Sequence, residues 1–334
     1  MVRAALLKSA GRRRLGSSNL LSGAIWFNGE ERNFFSFLIL GKIFSIIFIE
    51  RKVKMDNMYF STENKKIEKV FKEYYNEVAA RYSNNSFVFL GLYGSQNYGL
   101  DTPKSDIDVK TIIVPTKRDL ILDKKKVSTE IFTNEGMNLV QDIRLMCNSF
   151  FKGNINFLEI LFTNYKIYNA EYNIPVFKLI QNRDIIANRD PMNLFRVCKG
   201  MILSKNKLFN KPIESKMELI HKYGYDPKQL VHMVRLKNFL ERYLANPVFE
   251  YALRPSKEFC FLGKSFKTNP LKYDDADRMR ESVIKDLAIL EKYYLEFFNN
   301  EKWNEITREY TNKTREILDN FIYECIDIRL KKGD

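Results

Sequence analysis

Histidine and cysteine are scarce in this chain of 334 residues. The two histidines are His221 and His232, and the four cysteines are widely spaced at Cys147, Cys198, Cys260 and Cys325. Zinc sites are built from closely spaced Cys and His ligands, so no zinc site is expected. Four distant thiols also do not indicate a disulfide scaffold. They are typical of reduced cysteines, and we expect a cytoplasmic protein.

A long apolar segment is missing as well. Residues 34–49 are mostly apolar, but the run has only about 16 residues and is interrupted by Gly41 and Lys42, whereas a spanning helix needs about 20. A lysine at its centre costs about 3 kcal/mol in a bilayer. A signal peptide would place its apolar part nearer the start of the chain. Membrane contact through residues 34–49 is therefore disfavoured.

The first 54 residues differ from the rest in composition. They hold ten Lys/Arg and three Glu, and so carry half of the net charge of +14. Four interpretations remain open: a weak membrane anchor, an organelle presequence, a partner-binding arm, or an extension outside the natural reading frame with Met55 as the true start. We favour a non-catalytic extension over residues 1–54. The remaining 280 or so residues are ample for a hydrophobic core.

Hydrophobic periodicity predicts the elements of the body. Residues 62–82 follow a helical pattern that Ser61 or Thr62 can cap. Strands are predicted at 87–93 and 107–114, and a hairpin at 127–132 and 137–140 around Asn134-Glu135-Gly136. Long helices are then predicted at 143–152, 191–206, 213–222, 227–245, 274–299 and 303–330.

These patterns predict an α+β fold in which a small mixed sheet with flanking helices precedes an all-helical half. We place the sheet-containing core at residues 55–165 and the helical domain at 166–334. No glycine-rich linker separates the two halves, so they are expected to pack closely and to enclose a cleft.

Asp106 and Asp108 stand two residues apart at the start of a predicted strand, so their side chains share one face of the sheet. Their Cβ atoms would lie roughly 6–7 Å apart. Carboxylates at this spacing can bracket divalent cations, and two such ions can hold a triphosphate in line with an attacking hydroxyl. Asp-x-Asp is common in solvated turns, so the pair alone does not indicate a metal site. The surrounding sequence is needed to distinguish the two.

The preceding segment supplies that context. Gly94-Ser95 follows the first long strand, and Gln96-Asn97-Tyr98-Gly99-Leu100 and Pro103-Lys104-Ser105 lead to Asp106-Ile107-Asp108. Glycine lets backbone N–H groups approach phosphate oxygens, and the serine hydroxyl adds a donor. The whole run resembles the signature of the DNA polymerase beta superfamily of nucleotidyltransferases. Within that superfamily it is most similar to the phage and bacterial branch of RNA-ligase-associated proteins.

The resemblance implies a third carboxylate on a neighbouring strand. Asp142, at the end of the second hairpin strand, is our candidate for this metal-binding and catalytic role. Glu130 is a weaker alternative because it lies on the partner strand. Glu159, in Asn156-Phe157-Leu158-Glu159-Ile160-Leu161, matches a further element of the branch, and we favour a structural role for it.

A second set of polar residues lies far downstream. On a helix beginning near Pro227, Lys228, His232 and Arg235 fall on one stripe between apolar residues. The lysine and arginine are suited to triphosphate oxygens, and the histidine can orient a phosphate or transfer a proton. The branch has a similar helix, and the two motifs together span about residues 95–240.

The expected activity is transfer of a nucleoside monophosphate from an NTP to a hydroxyl acceptor, with release of pyrophosphate. The resemblance implies two Mg²⁺ ions, with Mn²⁺ as an alternative, held by Asp106, Asp108 and Asp142. Gly94 and Ser95 would contact the triphosphate. An RNA end is the acceptor suggested by the branch. The competing hypothesis is a non-catalytic nucleotide- or RNA-binding protein, or a regulatory protein, on the same fold.

A truncated chain that begins at Met55 is expected to keep full nucleotidyl-transfer activity, because the first 54 residues carry none of the motifs. Comparison of its turnover with that of the full chain tests this. Reduced turnover in the truncated chain would show that the extension contributes to function.

Overall fold

A single mixed β-sheet organises the part of the chain that the computed structural model describes, residues 53–55, 58–61 and 64–332. Its strands are β1 (Val53–Met55), β2 (Met58–Ser61), β3 (Phe87–Tyr93), β4 (Asp108–Ile113), β5 (Ser128–Thr133), β6 (Gly136–Asp142) and β7 (Lys166–Asn169). They lie side by side in the order β1-β2-β7-β3-β4-β6-β5. The β4–β6 pair is parallel and the other pairs are antiparallel.

The α-helices that precede β7 in the chain are α1 (Lys65–Tyr82), α2 (Lys117–Ile121), α3 (Ile143–Phe151) and α4 (Ile155–Leu158). Those that follow β7 are α5 (Asn173–Gln181), α6 (Arg183–Ala187), α7 (Pro191–Leu208), α8 (Met217–Tyr223), α9 (Pro227–Ala245), α10 (Phe249–Leu253), α11 (Lys257–Thr268), α12 (Tyr273–Phe298) and α13 (Glu301–Lys331).

Helix α1 covers one face of the sheet. Asn64 caps it by accepting hydrogen bonds from the backbone N–H groups of Lys66 and Ile67. Its apolar stripe, Ile67, Val70, Phe71, Tyr74 and Val78, is buried against Leu90, Leu92, Val109 and Val140 of the sheet. The helical periodicity of α1 and the two-residue periodicity of the strands thus meet in one core layer.

The opposite face of the sheet carries the helical half of the protein. Phe89 and Ile112 belong to the same buried cluster as side chains of α3, α7, α9, α12 and α13. Helices α7, α9 and α12 pack on one another, and the Tyr294 hydroxyl donates to the Leu240 carbonyl at 2.9 Å. One continuous core therefore fixes the helical half to the sheet, and in particular α9 to the sheet edge where β4 begins.

The α+β fold class predicted from the sequence is confirmed, and so is an almost entirely helical second half. The strand at 87–93 has the expected bounds, and the predicted helix at 227–245 is α9. Strand β7 and helices α5 and α11 were not predicted. Each is short or interrupted in its apolar pattern, so its periodicity alone does not separate it from a loop.

The predicted boundary after residue 54 falls within a strand of the sheet, and the one after residue 165 falls directly before another. β1 includes Val53 and Lys54, and β7, which begins at Lys166, pairs with β2 and β3. The chain forms one compact unit from Arg51 onward. A truncation at Met55 removes part of β1, so a second truncation beginning at Arg51 is its matched control.

The apolar run 34–49 and most of the predicted extension lie outside the described residues. Within the described residues, no helix has both the length and the apolar character that crossing a bilayer requires.

Candidate functional site

The Gly94–Leu100 turn connects the end of β3 to the segment that carries the two aspartates. Its shape depends on two glycines with left-handed backbone angles, Gly94 at φ 84° and Gly99 at φ 75°. The backbone N–H of Asn97 donates to the Gly94 carbonyl and that of Leu100 to the Ser95 carbonyl, both at 2.9 Å. The glycines singled out in the sequence are therefore required by the backbone path itself.

Asp106 directly precedes β4 and Asp108 is its first residue, so both lie at the end of the sheet where this interior strand begins. Asp108 is paired with Tyr93, the last residue of β3. Ile107 between them is buried on the opposite side, and its backbone N–H donates to the Glu135 carbonyl at 2.7 Å. The Asp108 carboxylate accepts a hydrogen bond from the Met137 backbone N–H at 3.1 Å. Burial raises the pKa of Asp108, and the charge of Asp106 adds to the increase. Two repelling carboxylates at one strand end favour a bound cation.

Glu159 supports the turn from beneath. One carboxylate oxygen accepts from the Gly94 backbone N–H at 3.3 Å, and the Glu159 carbonyl accepts from the Asn97 side-chain amide at 3.3 Å. The side chain is 1% exposed, and burial raises its pKa to about 7, an increase that Arg235 and Lys110 oppose. The structural role favoured from the sequence agrees with this geometry.

Two buried cations flank Glu159. Lys110 is 2% exposed, and its Nζ lies 2.8 Å from the centre of the Tyr93 ring. Burial lowers the pKa of Lys110 to about 7, while Glu159 and Asp108 act in the opposite direction. The Arg235 guanidinium lies 4.2 Å from the centre of the Tyr98 ring. The turn thus rests on three buried charged groups and two aromatic rings.

Helix α9 forms the facing wall of the site. Asp226 caps it by accepting from the Lys228 backbone N–H at 2.9 Å. Lys228 and His232 line a cleft that Asp106 and Asp108 also line. Burial lowers the pKa of His232 well below its usual value, and nearby cations, Arg235 and Lys205 first, lower it further. The imidazole is therefore neutral near pH 7 and can donate or accept one hydrogen bond.

Arg235 lies behind the cleft wall rather than on it. It is 4% exposed, covered by Tyr98, and absent from the residues that line the cleft. The predicted polar stripe is present on α9, but only its first two members reach the cleft. Arg235 instead contributes positive charge from beneath, next to Glu159.

The cleft has a volume of about 420 Å³ and lies between the sheet edge and the helical half. It joins the Gly94-Ser95 turn and the two aspartates to α8, α9 and the end of α11. Its lining includes cations that sequence reasoning did not assign to the site, Lys104, Lys216 and Lys267. It also includes three apolar or aromatic side chains to which the sequence assigned no site role, Leu219, Tyr223 and Pro270.

Helix α11 holds the far side of the turn. The Lys267 Nζ donates to the Leu100 carbonyl at 2.6 Å, and Gly263 packs so closely on Leu100 that an added Cβ would lie 2.6 Å from a Leu100 methyl carbon. Burial lowers the pKa of Lys267 to about 8, and the neighbouring Lys228 contributes to the decrease. In the sequence, Gly263 stands within an apolar helical pattern, and a glycine at such a position can indicate close packing of another segment against the helix.

Asp142 is not part of the cleft, which corrects the prediction that it supplies the third carboxylate. β6 runs parallel to β4, and Asp142 is paired with Ile113, at the opposite end of the strand from Asp108. Its carboxylate caps α3 and binds the Arg144 guanidinium at 2.7 Å. Five residues of strand separate the two positions, roughly 17 Å at 3.3 Å per residue.

Beyond Asp106 and Asp108, the acids that line the cleft are Glu159, beneath the turn, and Asp226, which caps α9. Among the residues that the structure describes, no group of three or more His, Cys, Asp or Glu side chains is arranged to hold a metal ion. Mg²⁺ is commonly bound by one or two carboxylates together with waters and substrate phosphates. The pair Asp106 and Asp108 fits that kind of binding and does not form an all-protein metal cage.

Comparisons with known proteins add little to this geometry. No family model matches the chain, and no curated protein matches it. Among solved structures it is similar to a nucleotidyltransferase-like protein from Exiguobacterium sibiricum, at 12% identity over 77% of this chain and 91% of that one. The TM-score is 0.26, which is too low to support an argument about fold or function.

Replacing Glu159 by alanine is expected to lower the free energy of unfolding by about 2 kcal/mol, because it leaves the Gly94 backbone N–H without its acceptor and opens a cavity beneath the turn. Urea unfolding measures the change.

The matched control is Glu77→Ala, which breaks the exposed pair with Arg81 and is expected to cost less than about 1 kcal/mol. Equal losses in the two variants would contradict a supporting role for Glu159.

Proposed function

We propose that this protein is a Mg²⁺-dependent nucleotidyltransferase that transfers a nucleoside monophosphate from an NTP to a hydroxyl acceptor. The observation that carries the proposal is the convergence of two distant chain segments in one cleft. Residues 94–108 supply the glycine-rich turn and two carboxylates, while Lys228 and His232 of α9 face them. Nucleotidyl transfer requires carboxylates that bind divalent cations and, facing them, side chains that bind the phosphates of the substrate.

The cleft supplies charge for a triphosphate from several sides. Lys104, Lys216, Lys228 and Lys267 line it, and the neutral His232 provides a hydrogen bond among them. Cations placed before the substrate arrives stabilise charge that develops on the phosphates without further reorganisation. The Ser95 hydroxyl adds a donor at the same wall, while Gly94, whose N–H is bonded to Glu159, gives the turn its left-handed bend and lets a phosphate approach closely.

Mg²⁺ is the cofactor that fits the donors present. Asp106 and Asp108 would hold it, with phosphate oxygens of the substrate and water completing the ligand set. When bound, Mg²⁺ would polarise the phosphate and offset its negative charge. The raised pKa of Asp108 has the cause expected at an acidic cation site, because burial and the neighbouring Asp106 both disfavour its charged form in the metal-free protein.

In the proposed transfer one P–O bond forms and another breaks. The acceptor hydroxyl oxygen forms a bond to the α-phosphorus, the bond from that phosphorus to the bridging oxygen of the β-phosphate breaks, and pyrophosphate leaves with the bonding electrons. The hydroxyl proton passes to water in the open cleft, because Asp142 lies elsewhere and Glu159 is buried beneath the turn. An RNA end remains the acceptor that we propose.

A non-catalytic nucleotide-binding protein is the second candidate. The observation that favours it is that, among the described residues, no third acid joins Asp106 and Asp108 in a group arranged to hold a metal ion. The two candidates differ in one respect that can be measured, because only the enzyme joins labelled nucleotide to an acceptor.

Asp106→Asn and Asp108→Asn are each expected to reduce transfer by more than about a hundredfold, since losing a residue that merely supports a metal ligand already costs ten- to a hundredfold. The assay measures Mg²⁺-dependent incorporation from α-labelled ATP, CTP, GTP or UTP into RNA acceptors.

Asp142→Asn is the matched control, and it is expected to keep turnover within about threefold while lowering stability, because Asp142 pairs with Arg144 outside the cleft. Transfer that persists in both cleft variants, or that fails equally in a folded Asp142→Asn, would refute the assigned site. Wild-type protein that binds nucleotide without transferring it would support the non-catalytic candidate.

Lys228→Ala is expected to raise the KM for the NTP by about tenfold, because a hydrogen bond to a charged phosphate contributes roughly 1.5–3 kcal/mol. Steady-state kinetics at fixed acceptor concentration measures it. Lys292→Ala, which removes an exposed lysine of α12 paired only with Glu296, is the control and should leave KM unchanged. An unchanged KM in Lys228→Ala would remove α9 from the proposed phosphate site.

A further inference from the structure

The lining of the cleft is not only charged. Besides its acids and lysines it includes apolar and aromatic side chains, among them Leu219, Tyr223 and Pro270. Leu219 and Tyr223 belong to α8, and Pro270 lies in the segment between α11 and α12. Polyphosphate alone would leave these side chains uncovered, so the cleft suits a ligand that has an apolar planar group as well as phosphates.

Helix α8 and the residue just before it present one stripe to the cleft. Lys216 directly precedes α8, and Leu219 and Tyr223 follow it at spacings of three and four residues, which places the two on the same side of the helix. All three line the cleft. The intervening residues, 217, 218 and 220–222, do not line it.

This helix contributes no fully buried residue to the protein core. Leu219 and Tyr223 are partly buried, and Tyr223 packs against the cluster that contains Phe209 and Tyr225. The Lys222 Nζ lies 5.2 Å from the centre of the Tyr223 ring. Leu219 and Tyr223 also line the cleft, so the parts of these side chains that stay exposed can contact a ligand there.

The chain just after Tyr223 is firmly anchored. Gly224 ends α8 with a left-handed φ of 80°, and its N–H donates to the Ile220 carbonyl at 2.8 Å. Tyr225 is buried, stacks on Phe209 with ring centres 4.9 Å apart, and donates its hydroxyl to the Leu271 carbonyl at 3.0 Å. Tyr223 therefore has a fixed backbone position even though its helix is not buried.

We infer that Tyr223, with Leu219 and Pro270, forms the subsite for the nucleobase of the incoming NTP. This inference rests on the proposed nucleotidyl-transfer function and specifies how its substrate is recognised. Aromatic side chains stack on nucleobases whatever their sequence, because every base has a π-face. Lys216 lies one helical turn before Leu219 and would contact the phosphate side of the same nucleotide.

The test is a binding measurement on the full chain without acceptor, so that turnover is not needed. Isothermal titration calorimetry with Mg²⁺ compares ATP, CTP, GTP and UTP with inorganic tripolyphosphate, which has the same phosphates but no base. Tyr223→Ala is expected to weaken nucleotide binding about tenfold, the effect of losing one stacked base, and to leave tripolyphosphate binding unchanged. Tyr223→Phe should bind as the wild type does, because the ring is retained.

Two further variants separate base recognition from other effects. Lys228→Ala should weaken nucleotides and tripolyphosphate alike. Tyr323→Ala, which removes a tyrosine that is 69% exposed on α13, should change neither. Urea unfolding of Tyr223→Ala confirms that the variant is folded at the titration temperature.

The outcomes distinguish the subsite from the function on which it rests. Nucleotide affinity that is unchanged in Tyr223→Ala, or tripolyphosphate affinity that falls as much as nucleotide affinity, would overturn the subsite even if transfer occurs. Base-dependent binding that is lost in Tyr223→Ala, in a protein that transfers no nucleotide, would support the subsite and refute the enzyme. Absence of any nucleotide binding by the wild type would overturn both.

Discussion

The contact between the Glu159 carboxylate and the backbone N–H of Gly94 is the interaction on which the site depends. It connects the turn after β3 to a segment on the helical side of the sheet, 65 residues further along the chain. A buried carboxylate is costly unless cations offset its charge. Here Lys110 from the sheet and Arg235 from α9 offset part of that cost electrostatically, and burial still raises the pKa of Glu159 to about 7.

This arrangement explains why part of the predicted polar stripe on α9 points away from the cleft. Arg235 was expected to bind phosphate, but its place is beside Glu159 and Tyr98, where its charge is needed to bury the acid. Lys228 and His232, two turns and one turn earlier, remain at the surface of the cleft. Helical spacing predicted the shared stripe correctly. It could not predict how deep each member lies, because depth depends on what packs against the helix.

The sequence predicted the strongly periodic elements and their order, because β3, α1 and α9 each bury a continuous apolar face. It did not predict the direction of pairing between β4 and β6. An antiparallel pairing would have brought Asp142, at the end of β6, beside Asp108 at the start of β4. The parallel pairing places it next to Ile113 instead. Pairing direction follows from how the whole chain packs, and no local pattern in residues 107–142 encodes it. Lys267, Tyr223 and Pro270 were missed for a related reason, since they reach the cleft only through tertiary contacts.

The contact between α11 and the turn has a consequence for how the protein folds. Lys267 and Leu100 are separated by 167 positions in the chain, and Gly263 packs on the same leucine. Closing a contact over such a distance is entropically costly and tends to occur late in folding. On the ribosome, the sheet and α1 can form while the end of α11 has not yet been synthesised. The cleft would therefore be completed only after most of the chain has emerged from the ribosome.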